Sequence, residues 1–257
     1  MEGGPATSGA VAHVLIDALD DELKIDGADG HHLARVRRIR VGERVTAANG
    51  AGTWRAYVVH DVTDRSLELR ADSPTRTEAR AQPDLSVAFA LTKGSKPDVV
   101  VRQLTEVGVD RILPVVAARS VARPVGTRTD AFTVRMRKVA REAAMQSRRA
   151  WLPEVAAPAV LADLAGRSDL VVAELGAGPV EALADPGPGG WTLLVGPEGG
   201  LAPEELEALG PSGRLGLGPH VLRAETAAVA GAVVLGRSRQ SRIGKEIGHG
   251  AWDPPPN

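Results

Sequence analysis

The sequence contains no cysteine, so disulfide bonds and thiolate metal sites are excluded. Aromatic residues make up only 3% of the 257 residues, so valine, leucine and alanine must fill the core. No apolar run approaches the roughly 20 residues that a membrane-spanning helix needs, and nothing resembles a signal peptide. The composition, 43% hydrophobic and 25% charged, suits a soluble chain of one large or two modest domains. We therefore expect a cytoplasmic protein without a membrane segment.

Two concentrated basic regions lie within a chain whose net charge is only −1. Nine lysines and arginines fall between positions 119 and 149, against only Asp130 and Glu142. The segment HHLARVRRIRVGER (31–44) holds five more arginines. Such clusters indicate a surface that binds a polyanion such as RNA, although two solvated helix faces would produce the same pattern.

The pattern of predicted secondary structure changes near position 84. Residues 12–70 contain short strand patterns such as VTAAN and WRAYVVHDV, with the turn signal NGAG between them. Beyond ADSPTRTEARAQPD, strand and helix patterns alternate, which is typical of a parallel α/β sheet with ligands at the carboxyl ends of its strands. We predict a small β-rich domain over 1–73, a linker over 74–84, an α/β domain over 85–243 and a disordered tail over 244–257.

Two predicted strands end in glycine-rich turns, LVGPEGG (194–200) and LGLGPHVLRAET (215–226). The first turn has no lysine and hydroxyl where a P-loop requires them. GLGPHV (216–221) in the second turn, and GAGPVE (176–181) elsewhere in the chain, begin the Gly-x-Gly-x-x-Gly dinucleotide fingerprint but lack its third glycine. Glycines without a Cβ let the main chain approach a flat ligand closely, so these turns favour an adenine-bearing cofactor. The alternative is that both are simply tight strand-to-helix turns.

At these residues the chain resembles the SPOUT methyltransferases and, more narrowly, the RsmE family, which methylates N3 of a uridine in small-subunit ribosomal RNA. HHLARVRRIRVGER, LTKGSKPDVVVRQLTEVGVDRILPVVAARSVA and REAAMQSRR resemble further segments of that family in the same order. The departures are Met136 and Met145, where tryptophan and glutamate are frequent, Ser95 and Ala202, where aspartate and serine are usual, and His220 and Ala224, where arginine and threonine are frequent.

The resemblance implies S-adenosylmethionine as cofactor, a trefoil knot in the α/β domain, an N-terminal PUA-like β-barrel that binds RNA, and a homodimer. It implies 16S ribosomal RNA or the 30S subunit as partner. No metal is expected, because no histidines are spaced as ligands; the adjacent His31 and His32 suit an RNA-facing or structural role. The implied cofactor-binding residues are Leu194, Gly196, Glu198, Gly199, Gly200, Leu217, Gly218, Val221, Leu222 and Thr226. The candidates for RNA contacts are Arg35, Arg38, Lys93, Arg119 and Arg148.

Arg223 and Glu225 are the candidate catalytic residues. A guanidinium at Arg223 could stabilise the anion that forms as uracil N3 loses its proton, or it could clamp a phosphate or pair with Glu225. Glu225 could accept that proton, or it could favour the helix start as an acid does there. Two rival functions remain: ribose 2′-O methylation, whose enzymes usually carry Ser-Leu-Asn in the last motif, and a non-catalytic RNA-binding assembly factor.

Overall fold

The computed structural model describes residues 4–92, 94–120, 126–187 and 189–246, with side chains up to position 239. The chain divides into two compact units. The first comprises Met1–Arg80 and Lys138–Leu152, and the second comprises Ala81–Arg137 and Pro153–Asn257. The domain boundaries given above stay predictions.

The described part of the first unit contains a six-stranded, mostly antiparallel sheet. Its main order is β1-β3-β4-β5-β2, with β6 paired to β4; only β1 and β3 run parallel. The small β-rich domain is therefore confirmed, and β6 lies inside the segment predicted as a linker. The strands are β1 (Ala12–Leu15), β2 (Glu22–Ile25), β3 (Arg44–Ala48), β4 (Thr53–Val62), β5 (Leu67–Ala71) and β6 (Arg76–Thr77).

A short helix, α1 (Gly27–His31), continues into a π-helical turn at His32–Val36 between β2 and β3. Inward-facing residues of the strands, among them Val45, Tyr57 and Leu67, pack with Leu33 of this turn into one core. Alternate residues of a strand face the same side, so the alternation in VTAAN and WRAYVVHDV buries one face of the sheet.

His13 is a buried polar residue of β1. Its Nδ1 lies 2.8 Å from Thr46 Oγ1, and its Nε2 lies 3.1 Å from the carbonyl oxygen of Arg149. A neutral ring satisfies both contacts, with Nε2 donating to the carbonyl and Nδ1 accepting from the hydroxyl. The pKa of His13 is lowered from 6.5 to about 4, mainly because the ring is buried. The hydrogen bond to the carbonyl of Arg149 raises the pKa, and the positive charge of Arg148 lowers it.

A seven-stranded sheet forms the described part of the second unit, and all its strand pairs are parallel. Its order is β10-β8-β7-β12-β11-β13, with β9 paired to β8. The predicted parallel α/β sheet is therefore confirmed. The strands are β7 (Leu85–Ala90), β8 (Arg111–Val116), β9 (Glu154–Val155), β10 (Ala159–Val160), β11 (Leu170–Ala173), β12 (Trp191–Val195) and β13 (Gly213–Leu215).

The described residues contain four helices longer than α1: α2 (Lys96–Glu106), α3 (Thr127–Gln146), α4 (Pro203–Leu209) and α5 (Ala224–Glu246). Pro97 is the second residue of α2, and Val100, Val101 and Leu104 form its buried face, as their helical spacing predicts. No helix among the described residues is long and apolar enough to cross a membrane.

Helix α4 begins after Ala202, where a serine side chain would usually cap the helix; a different contact stabilises the helix start here. Ala202 has no side-chain oxygen, but Glu205 Oε2 accepts a hydrogen bond of 2.8 Å from the Ala202 N–H. The other oxygen of Glu205 accepts from the Ala118 N–H at 2.6 Å. One carboxylate thus fixes both the helix start and the loop after β8.

A buried ion pair attaches α5 to the sheet. Arg239 Nη1 donates to Asp110 Oδ2 at 2.5 Å, and both side chains are less than a tenth exposed. The same carboxylate oxygen accepts from the Leu85 N–H at the start of β7. Arg239 also donates to the carbonyl oxygens of Pro83 and Gly108 at 3.3 Å. Removing one partner of such a pair leaves an uncompensated buried charge, which costs about 3–5 kcal/mol.

Candidate functional site

Three glycine-bearing loops leave neighbouring strands at one edge of the parallel sheet. β11 pairs with β12 on one side and with β13 on the other. The chain therefore leaves Ala173, Val195 and Leu215 side by side, because the carboxyl ends of parallel strands meet at one edge. The two turns singled out from the sequence are thus brought together, with a third loop between them.

These loops surround a cleft of about 340 Å³. Its walls combine main chain, aliphatic side chains and two carboxylates. Val221 stands at the cleft with 84% of its surface exposed, so an apolar side chain faces solvent there. The lining residues are Val172, Ala173, Glu174, Leu175, Val195, Gly196, Pro197, Glu198, Gly200, Leu201, Leu206, Leu217, Gly218, His220, Val221, Leu222, Ala224 and Ala227.

Seven of the ten predicted cofactor residues line this cleft: Gly196, Glu198, Gly200, Leu217, Gly218, Val221 and Leu222. The other three lie beside it. Leu194 is fully buried in the sheet core, Gly199 faces Arg119, and Thr226 is exposed in the first turn of α5.

Two glycines are required by the geometry of the loops. Gly200 has φ +71°, in the left-handed region that L side chains rarely adopt. A Cβ on Gly216 would lie only 2.2 Å from the carbonyl oxygen of Ala177 in the loop after β11. The Gly216 N–H donates to the carbonyl oxygen of Gly178 at 2.8 Å, so these two loops touch through their main chains.

The loop after β11 was missing from the sequence prediction. Glu174 and Leu175 line the cleft, although neither was a candidate residue. The signal was present in GAGPVE (176–181), which follows a strand and begins with two glycines but fails the dinucleotide fingerprint. A glycine-bearing strand end is informative even where the full fingerprint is absent, because close backbone approach requires only the glycines.

A charged cluster lies at the mouth of the cleft. Lys96 Nζ donates to Glu198 Oε1 at 2.6 Å and lies 3.8 Å from Glu225 Oε2. The hydrogen bond from Lys96 holds the pKa of Glu198 below its ordinary value. The hydrogen bond to Glu198, with the charges of Glu198 and Glu225, raises the pKa of Lys96 despite the opposing charge of Arg223. The Lys96–Glu198 pair is therefore fully charged at neutral pH.

Arg223 and Glu225, the predicted catalytic residues, differ in exposure. Arg223 is exposed in the loop before α5, and its carbonyl oxygen accepts from the Ala227 N–H. Glu225 is four-fifths buried, and no described residue donates a hydrogen bond to its Oε2. A buried carboxylate oxygen without a hydrogen-bond donor is uncommon in folded proteins.

The predicted RNA contacts are distributed over both units. Arg119 of the second unit donates to the carbonyl oxygen of Gly199 at 2.6 Å and so braces the glycine turn. In the first unit Arg35 pairs with Asp64 at 2.9 Å, both exposed. Lys93 lies outside the described residues.

Arg38 and Arg148 have left-handed backbones, with φ of +54° and +56°. They are the non-glycine residues with positive φ in the described ranges. Arg148 also lines a cavity of about 880 Å³ within the first unit, together with His13, Arg37 and Arg141. Both arginines follow the end of a helical segment, where the left-handed position is usually occupied by glycine.

No group of three or more potential metal ligands occurs among the residues that the structure describes.

Known proteins resemble this chain in sequence and in structure. A family of RNA methyltransferase domains matches residues 80–236, and a family of RNA methyltransferase PUA domains matches residues 25–72. Ribosomal RNA small subunit methyltransferase E of Mycobacterium bovis is 38% identical over 235 residues, covering 86% of this chain and 88% of that protein. The Bacillus subtilis protein of the same name is 30% identical over 221 residues, covering 80% and 86%.

The solved structure of ribosomal RNA small subunit methyltransferase E from Neisseria gonorrhoeae, bound to S-adenosyl methionine, superposes with a TM-score of 0.75. It is 21% identical, and the match covers 90% of this chain and 97% of that one, so the two share a fold.

Proposed function

Because the chain belongs to the ribosomal RNA small subunit methyltransferase E family, we propose that it methylates N3 of a uridine in the 16S ribosomal RNA of the small subunit, with S-adenosylmethionine as methyl donor. The observation that carries the proposal is the cleft at three adjacent strand ends, whose lining includes Leu222 and Ala224, the chain neighbours of Arg223.

The residues of the cleft fit this cofactor. Its volume of about 340 Å³ falls in the roughly 300–1,000 Å³ range of small-molecule sites. Leu201, Leu217 and Leu222 offer apolar surface to an adenine ring, and main chain at the glycines can hydrogen-bond its edge. Glu174 and Glu198 complement the positive charges of the sulfonium and ammonium groups. When bound, S-adenosylmethionine supplies an electrophilic methyl group and leaves as S-adenosylhomocysteine.

The chain's own residues handle the proton and the charge of the uracil. N3 of uracil carries a proton that must leave before its electron pair can bond to the methyl carbon. We assign Glu225 as the acceptor of that proton, since its Oε2 has no hydrogen-bond donor among the described residues. The guanidinium of Arg223 donates to O2 or O4 of the base and stabilises the negative charge that develops there.

The substrate base must be exposed, because N3 is paired inside an RNA helix. Turning a base out costs a few kcal/mol unless the RNA is already open. Arg35, Arg38 and Arg148 in the first unit, Arg119 in the second and Lys93 are the proposed backbone contacts, which position the RNA and carry little base information.

The proposal extends to the assembly. We expect a cytoplasmic homodimer and a trefoil knot in the α/β domain. Of the tail predicted over 244–257, residues 244–246 belong to α5 and the others lie outside the described residues. Size-exclusion chromatography with light scattering measures the dimer directly.

Product analysis tests the proposed activity. The protein is incubated with methyl-labelled S-adenosylmethionine and with undermethylated 30S subunits or free 16S ribosomal RNA, and the RNA is digested to nucleosides. Label in 3-methyluridine supports the proposal. Label on ribose indicates a 2′-O methyltransferase, label on another base contradicts the uracil assignment, and the absence of both label and cofactor binding favours a non-catalytic RNA-binding factor.

Arg223→Ala tests the catalytic assignment. We expect unchanged affinity for S-adenosylmethionine and turnover lowered at least about tenfold, or ~1.4 kcal/mol of barrier. Unchanged turnover would remove Arg223 from the reaction.

A further inference from the structure

Lys96 joins two loops that are distant in the sequence. It is the first residue of α2, yet its ammonium reaches Glu198 in the loop after β12 and Glu225 at the start of α5. Lysine is unfavourable at a helix N-terminus, where the helix dipole is positive. The two carboxylates offset that cost, so the placement of Lys96 is explained by the cluster and not by the helix.

The two carboxylates have different surroundings. Glu198 lines the cofactor cleft and accepts a short hydrogen bond from Lys96. Glu225 Oε2 lies 3.8 Å from the same ammonium, close enough for attraction but beyond a hydrogen bond. The cation therefore orients one carboxylate fully and leaves the other with an oxygen free to take a proton.

We infer that Lys96 is a positioning residue, whose ammonium ties the cofactor loop to the start of α5 and holds the Glu225 carboxylate in place to accept the N3 proton. This inference rests on the proposed function. In the balanced reaction the N3 proton passes to Glu225, the N3 electron pair forms the bond to the methyl carbon, and the carbon–sulfur bond breaks with its electrons on sulfur.

The ion-pair electrostatics agree with this role. The raised pKa of Lys96 keeps it a cation at neutral pH, so it cannot itself be the base. The charge of Arg223, in the loop before α5, opposes the rise in the pKa of Lys96 without reversing it.

A double-mutant cycle on cofactor affinity tests the interaction between Lys96 and Glu198 without requiring methyl transfer. Calorimetry measures S-adenosylmethionine binding to wild type, Lys96→Met, Glu198→Gln and the double variant. We expect Lys96→Met to weaken binding about fivefold and Glu198→Gln to weaken it at least as much, because Glu198 also lines the cleft. The double variant should bind no more weakly than Glu198→Gln alone, because the contact with Lys96 is then already lost. Lys24→Met, an exposed lysine on β2, is the matched control and should bind as wild type.

The second cycle uses turnover on the RNA. Lys96→Met and Glu225→Gln should each lower kcat at least about tenfold, and the double variant should match Glu225→Gln alone. Lys96→Arg should restore much of kcat, since it keeps the cation; a role confined to folding predicts loss of melting temperature without this pattern.

The outcomes distinguish failure of the proposed role of Lys96 from failure of the proposed function. Additive losses of affinity in the first cycle, or additive losses of kcat in the second, would overturn the role of Lys96 while leaving the methyltransferase intact. If the wild-type protein yields no 3-methyluridine, the proposed function fails. Non-additive losses of cofactor affinity in the first cycle would then show only that Lys96 and Glu198 interact within the cofactor site.

Discussion

Replacing Arg148 with glycine should stabilise the protein and weaken its binding to RNA at the same time. Arg148 follows the last turn of α3 with φ +56°. The Arg149 N–H donates to the Ala144 carbonyl at 2.9 Å, and the Arg148 N–H donates to the Met145 carbonyl at 3.3 Å. These two bonds define a Schellman motif, in which glycine is the preferred residue at the left-handed position.

The magnitude follows from the backbone. A non-glycine residue in the left-handed region costs roughly 1–2 kcal/mol, and part of the relief is offset by the greater flexibility of unfolded glycine. We expect a net gain of about 1 kcal/mol, which raises the melting temperature by about 2–4 °C in a chain of this length. If the side chain neutralises one phosphate, the slope of log affinity against log salt should fall by about one unit.

Two companion variants separate strain from charge. Arg148→Ala keeps the left-handed strain and loses the charge, so it should lose RNA affinity without the gain in melting temperature. Arg148→Lys keeps both and should preserve the salt slope. Calorimetric melting and fluorescence anisotropy with an rRNA fragment measure the two effects. A glycine variant no more stable than the alanine variant would refute the strain argument, and unchanged affinity and salt slope would refute the RNA contact.

Three further changes test the fold and the cleft. His13 has a pKa near 4 in the folded protein and 6.5 in the unfolded chain, so the unfolded chain binds a proton first as the pH falls. The free energy of unfolding should therefore be unaffected by His13 above pH 6.5 and fall by about 3 kcal/mol between pH 6.5 and pH 4. His13→Gln should remove this fall from the free energies of unfolding measured in urea at each pH. Asp110→Ala should cost about 3–5 kcal/mol in urea unfolding by stranding the charge of Arg239, and a loss below 1 kcal/mol would contradict the ion-pair account. Gly216→Ala should weaken cofactor binding at least about tenfold by forcing two loops apart, whereas Gly236→Ala in α5, whose Cβ would meet the Leu85 side chain at an ordinary 4.0 Å, should bind normally; equal affinities would show that the approach at Gly216 is not required.

Local sequence signals predicted those parts of the site that lie within one loop. The turns at 194–200 and 215–226 could be read directly, because their glycines follow apolar strand patterns. That they lie on either side of a third loop depends on the strand order β12-β11-β13, which no local pattern contains. Glu174 was therefore missed.

Long-range contacts explain the other omissions. Lys96 is about a hundred positions from Glu198, and its only sequence signal is a cation at a helix start, where cations are disfavoured. Arg119 was predicted from charge density as an RNA contact, and the structure adds a bond to Gly199 that no composition argument could supply.

The crystal structure of the protein grown with S-adenosylmethionine tests the central claim most directly. The account predicts that the adenosyl group lies in the cleft between Glu174, Gly196 and Leu222, with its methyl group facing the side of Arg223 and Glu225. A cofactor bound elsewhere, or a cleft that remains empty at saturating concentration, would contradict it.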